Sequence, residues 1–112
     1  MTNEIIKKTV QEFTNQALKK IPKEITAIYL FGSCARGDYD NESDIDVLVV
    51  IDPSKKSLRN FKDKLLDIAS DIGLENNVFL SLTISDKKEW EKYKDFSLLY
   101  KNILSEGVQY YG

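Results

Sequence analysis

Two aspartates one residue apart, Asp44 and Asp46, stand at the mouth of an apolar run in the segment FGSCARGDYDNESDIDVLVV, Phe31 to Val50. On a β-strand, residues i and i+2 face the same side, roughly 6.5–7 Å apart along the chain. Two adjacent carboxylates repel each other unless a cation relieves them. A hard divalent ion such as Mg²⁺ does so, because it takes oxygen ligands and is held by one or two carboxylates together with phosphate oxygens and water. Two such ions, about 3.5–4 Å apart, suit phosphoryl or nucleotidyl transfer. Twelve residues before Asp44 comes Gly32-Ser33, closing an earlier apolar run. Glycine after a strand admits close approach of a ligand to the backbone. Ser33 adds a hydroxyl, and free N–H groups at the start of a helical turn attract anions. Gly32 and Ser33 are therefore candidates to hold the terminal phosphates of a nucleoside triphosphate. Arg36 is a candidate source of positive charge beside them, or a partner for an acid of the DYDNES loop.

Each of these signals taken singly has an ordinary structural explanation. Ser-Asp at a strand start is a common turn, and Gly-Ser at a strand end is commonly only a turn. Their order gives them weight: apolar strand, Gly-Ser, short helix with Arg-Gly, polar loop, Ser-Asp-Ile-Asp, apolar strand. That order brings a phosphate cradle and a carboxylate pair onto adjacent strands.

The elements that must position these residues are legible in the periodicity. Residues 4–20 carry Ile6, Val10, Phe13, Ala17 and Ile21 at three- and four-residue steps, an amphipathic helix stopped by Pro22. Ile25 to Phe31 reads as a strand, and Ser33 as the cap of a short helix running to about Gly37. The polar loop Asp38 to Ser43 leads into a strand from Asp44 to Ile51. Its VLVV core lacks polar alternation, which places it mid-sheet with both faces covered. A second amphipathic helix spans about Ser57 to Ile72, ended by Gly73, and Asn76-Asn77 turns the chain. Val78 to Ile84 reads as a third strand. Asp86 and Glu89 resemble a capping box for a helix from about Lys87. Phe96 to Leu104 is expected to be helical, with Gly107 ending it, and Val108 to Tyr111 to be an edge strand or a docked tail. The fold class is α/β (α+β): a small mixed sheet with helices packed on it, in a single domain over residues 1–112.

Composition narrows the chemistry. Among 112 residues, 42% are hydrophobic and 30% charged, as in globular proteins. There is no histidine, which removes Ser-His-Asp and Cys-His nucleophiles and imidazole metal sites. The one cysteine, Cys34, forms no internal disulfide and reads as a small buried residue. Sixteen Lys and Arg against eighteen Asp and Glu give a net charge of -2, against an extended DNA footprint. No apolar run approaches the roughly 20 residues of a membrane span, and MTNEIIKKTV does not read as a signal peptide; the expected location is cytoplasmic. Trp90, Tyr93, Phe96, Tyr100, Tyr110 and Tyr111 are expected to pack over the sheet, with an interface as the alternative. The lysine pairs Lys7-Lys8, Lys19-Lys20, Lys55-Lys56 and Lys87-Lys88 read as solvated faces.

GSCARGDYDNESDIDVLVV resembles the signature of the nucleotidyltransferase superfamily related to DNA polymerase β, in its minimal form from bacteria and archaea. The resemblance implies that Gly32 and Ser33 bind the β- and γ-phosphates of the incoming nucleotide. It implies that Asp44 and Asp46 coordinate two Mg²⁺, with Mn²⁺ as a substitute. Arg36 matches the pattern with a less settled role. The implied reaction moves an NMP, with ATP the expected donor, to a hydroxyl acceptor. Relatives carry a third carboxylate on a later strand that helps to activate the acceptor. The corresponding segment here, VFLSLTI, holds no acid; Ser81 stands about where one belongs, with Glu75 and Asp86 at the two ends. Minimal members also pair with small helical HEPN-type partners as antitoxins, in some cases by adenylylating them. The expectations are thus a Mg²⁺-dependent nucleotidyltransferase, or a binding module of the same fold that pairs with such a partner without turnover. Self-association into a homo-oligomer stays open.

Overall fold

The computed structural model describes residues 1–54 and 56–112. The first helix, α1 (Asn3–Lys20), begins where the Thr2 side chain accepts the Ile5 N–H at 3.2 Å. Its stripe Ile6, Val10, Phe13, Ala17 and the following Ile21 is buried as the spacing requires. Strand β1 (Ile25–Phe31) leads through Gly32 into the four-residue helix α2 (Ser33–Arg36), and after a polar loop the chain enters β2 (Ile45–Ile51). A long helix α3 (Leu58–Asn76) then crosses to β3 (Leu80–Asp86), followed by α4 (Lys87–Tyr93), α5 (Leu98–Glu106) and β4 (Val108–Tyr111).

The four strands run in the order β3-β2-β1-β4. Strand β1 is antiparallel to β2 and β4, whereas β2 and β3, joined through α3, are parallel. The mixed sheet with helices on it is therefore the observed fold class. Strand β2 lies centrally, and six of its seven residues are buried, because VLVV has apolar side chains for both faces. One face presents Ile28, Leu30, Ile45, Val47, Val49 and Ile51 to α1 and α3. The other presents Ala27, Leu48 and Val50 to Trp90 of α4 and Ile103 of α5.

The structure corrects several expected details. Helix α3 continues past Gly73 to Asn76, and Asn77, at φ 54°, makes the left-handed cap. Gly73 serves packing rather than termination, since a Cβ there would sit 2.7 Å from the Val78 carbonyl of the returning chain. The third strand starts at Leu80, two residues later than expected, leaving Phe79 64% exposed. Asp86 caps α4 by accepting the Lys88 N–H at 2.7 Å. Val108–Tyr111 is an edge strand. The aromatic residues divide: Trp90 is buried with its ring centroid 4.8 Å from that of Tyr100 and 5.7 Å from that of Tyr29, while Phe96 is 80% exposed. Of the lysine pairs, Lys55 lies outside the described residues, and the others are exposed.

Candidate active site

The candidate site is assembled where β1 ends and β2 begins. Antiparallel pairing sets Phe31 opposite Asp46, so the turn after β1 lies beside the start of β2. Gly32 occupies φ 74°, ψ -157°, a backbone region essentially restricted to glycine. The absent side chain matters as much as the dihedral, because a Cβ at Gly32 would collide with Asp46 Oδ2. The carboxylate of Asp46 thus occupies the space that glycine leaves.

Ser33 is not the cap expected of it. Gly32 is the N-cap of α2, without a side-chain bond, and Ser33 is the first helical residue. The Gly32 carbonyl accepts from the N–H groups of Ala35 and Arg36, both at 3.1 Å, and the turn closes with Gly37 N–H donating to the Ser33 carbonyl at 2.9 Å. The first N–H groups of a helix have no intrahelical acceptor, so the amides of Ser33 and Cys34 head the turn beside Asp46. Cys34 is buried as expected, and its Sγ lies 3.4 Å from the Asp44 carbonyl it donates to. Burial, with Asp46 next and Asp44 behind it, raises the thiol above its ordinary pKa, partly offset by Ser33. Cys34 is a neutral tether between the turn and the carboxylates.

Asp46 is half-buried on β2, and Asp44 is exposed just before the strand. The expected strand start at Asp44 moves to Ile45, whose N–H donates to the Phe79 carbonyl at 2.9 Å. Burial first, then the neighbouring Asp44 charge, raises the pKa of Asp46, and Arg36 offsets part of this. Arg36 itself is exposed and occupied: its Nε lies 3.2 Å from Asp38 and its Nη1 3.4 Å from Glu106 of α5. It does pair with an acid of the loop, and it also ties α2 to the end of α5.

The parallel register places Ser81 directly beside Asp46 on β3. Ser81, rather than either flanking acid, therefore holds the third place next to the pair. Asp86 is in register with Ile51 at the far end of β3, where it caps α4. Glu75 lines a groove between α3 and α1 with Glu12, Gln16 and Asp71. Among the described residues no cluster of three or more His, Cys, Asp or Glu is placed to hold a metal. The donor set is two hard carboxylates with no cation in salt-bridge contact among the described residues, which fits a hard ion whose remaining ligands come from phosphate oxygens and water. Sequence reasoning missed Glu106 as a partner of Arg36, because nothing local marks a contact across 70 residues. No helix among the described residues is long and apolar enough to cross a membrane.

The chain as a whole is similar to known proteins. The profile of the nucleotidyltransferase domain family matches residues 10–110. A candidate protein adenylyltransferase of Methanocaldococcus jannaschii is 34% identical over 100 residues, covering 89% of this chain and 92% of the relative. Another from the same organism is 37% identical over 80 residues, covering 70% and 77%. Among solved structures, a toxin-antitoxin with AMP-PNP has a TM-score of 0.59 at 21% identity, over 91% of this chain and 73% of that one. A candidate nucleotidyltransferase from Sulfolobus solfataricus has a TM-score of 0.57 at 24% identity, over 92% and 77%. The structural likenesses bear on the fold, and the family match spans nearly the whole chain: it belongs to the nucleotidyltransferase domain family and is a transferase of that class.

Proposed function

We propose that this chain is a Mg²⁺-dependent nucleotidyltransferase that moves AMP from ATP to a hydroxyl on a protein partner. The observation that carries the proposal is the approach of the half-buried Asp46 to Gly32, with Asp44 two residues away. In this reading Gly32 and Ser33 orient the β- and γ-phosphates through backbone and hydroxyl groups. Asp44 and Asp46 are the catalytic and metal-holding pair. Arg36 adds charge from the turn; engaging phosphate would require it to leave Asp38 or Glu106. Divalent ions held by the pair would neutralise charge developing on the transferred phosphate and the leaving pyrophosphate. The names of the Methanocaldococcus relatives support an adenylyl donor and a protein acceptor. The occurrence of this fold in a toxin-antitoxin structure supports a place for this chain in such a pair; in this reading it is the antitoxin, and a helical HEPN-type partner follows from the family resemblance alone.

One observation favours a second reading. Ser81 beside Asp46 leaves the third acid unsupplied, as suits a binding module of the same fold that holds its partner without turnover. Phe96 and Leu98, 80% and 74% exposed, would serve either reading as anchors for a partner or a second copy.

Calorimetric titration with Mg²⁺ and a non-hydrolysable ATP analogue, beside Asp44→Asn, tests the site. Metal-dependent binding that the variant loses is the expected result. A wild type that binds neither would sink the catalytic reading. Retained label transfer from α-labelled ATP by Asp44→Asn would remove the aspartate pair from the mechanism.

A further inference from the structure

Asp44 poses a physical problem. It is exposed, lies outside any strand, and stands beside a second carboxylate that repels it. An exposed loop aspartate is free to swing into water, which would dissolve the pair before any cation arrived. Among the described residues its side chain has no hydrogen-bond or ion-pair partner to resist this, so the restraint considered is the backbone on either side.

Such a restraint is built immediately before it. Asp40 and Ser43 close a reciprocal box. The Asp40 N–H donates to Ser43 Oγ at 3.0 Å, and the Ser43 hydroxyl lies 3.3 Å from Asp40 Oδ1. Asp40 Oδ1 also accepts the Glu42 N–H at 2.8 Å, and the Ser43 N–H donates to the Asp40 carbonyl at 3.2 Å. The box is anchored by Tyr39, which packs against the core and donates its hydroxyl to Asn3 Oδ1 at 2.6 Å. Beyond the box, the Cys34 thiol donates to the Asp44 carbonyl and the Ile45 N–H donates to the Phe79 carbonyl. The backbone of Asp44 is thereby held before, at and after the residue.

We infer that Ser43 and Asp40 are positioning residues that preset Asp44 next to Asp46, so that the divalent cation meets a formed pair. This rests on the reading of the aspartates as metal ligands, and goes beyond it by assigning a role to the loop. A preorganised pair binds more tightly because less ordering remains to be done on binding. Losing one hydroxyl that makes two hydrogen bonds should weaken binding by roughly three- to tenfold.

The test is Mn²⁺ binding, followed by calorimetry and by the loss of the free-ion paramagnetic signal, in the full chain with the ATP analogue present. Ser43→Ala should bind Mn²⁺ roughly three- to tenfold more weakly than wild type, with a melting temperature of the apo protein close to wild type. Ser43→Thr, which keeps the hydroxyl, should restore most of the affinity. Asp40→Asn keeps an Oδ1 acceptor and should bind well, whereas Asp40→Ala should fall with Ser43→Ala. This second pair serves if Ser43→Ala folds poorly. Wild-type affinity in both Ser43→Ala and Asp40→Ala overturns the inference and leaves the metal reading intact. Absence of Mn²⁺ binding by the wild type overturns both.

Discussion

At the scale of single residues, Gly32 and Asp46 share one volume. Gly32→Ala would place a methyl group into Asp46 Oδ2 and force a backbone of φ 74°, ψ -157° on a residue that avoids it. The expected cost is about 1–3 kcal/mol, read by chemical denaturation, together with loss of metal-dependent nucleotide binding in the calorimeter. Asp46 makes a pH-dependent prediction. Its carboxyl is raised by burial and by Asp44, so it binds its proton more tightly folded than unfolded. Its contribution to stability is then fully present below the ordinary aspartate value of about 3.9 and is lost as pH rises through the raised folded value. In metal-free solution at neutral pH, Asp46→Asn should therefore melt higher than wild type. The gap should close as pH falls to about 4, and a wild type that melts at or above the variant throughout would contradict this. The two roles pull apart, since the residue that costs the apo protein stability is the one proposed to bind the ion.

At the scale of elements, local pattern and tertiary demand coincide in some helices and diverge in α3. Thr2, Ser57, Asp86 and Ser97 each cap a helix with a side-chain oxygen; α1 and α3 are expected from periodicity, and α4 from a capping box. Gly73 misled that reading, because glycine near the end of an apolar stripe is a stop signal when judged locally. Its reason lies outside the helix, in the strand-bound chain at Val78. An Ala for Gly exchange inside a helix ordinarily stabilises by about 0.5–1 kcal/mol. Gly73→Ala is expected to destabilise instead, by about 1–3 kcal/mol from overpacking against backbone, as denaturant midpoints would report. A stabilised variant would show that the Val78 carbonyl does not crowd Gly73 in solution. The candidate site was legible to the same degree: that the Gly32-Ser33 turn lies beside Asp46 is readable because a strand, a turn and a strand are encoded in contiguous residues. That Ser81 stands beside Asp46 could only be guessed, since β2 and β3 are joined through a helix and their register is set by packing.

At the scale of the whole molecule, two cores flank one sheet, and β2 belongs to both through its alternate residues. Sharing the central strand should make the cores unfold together. Unfolding followed by Trp90 fluorescence, which reports the α4–α5 side, and by far-ultraviolet circular dichroism, dominated by α1 and α3, should give coincident transitions. Separate transitions would divide the chain into two cooperative units.

The sequence by itself determined the chemistry this protein can hold and the local elements that carry it. Histidine is absent, a hard carboxylate pair follows a glycine turn, and apolar residues recur at helical and strand periods; each is a property of neighbours along the chain. Only the tertiary structure decided which groups meet from distant parts of the chain. It set Glu106 against Arg36, Ser81 beside Asp46, Tyr39 on Asn3, and the Val78 carbonyl over Gly73. Register between strands and the approach of helices to a sheet depend on the summed packing of two cores, and no short stretch of residues contains that sum.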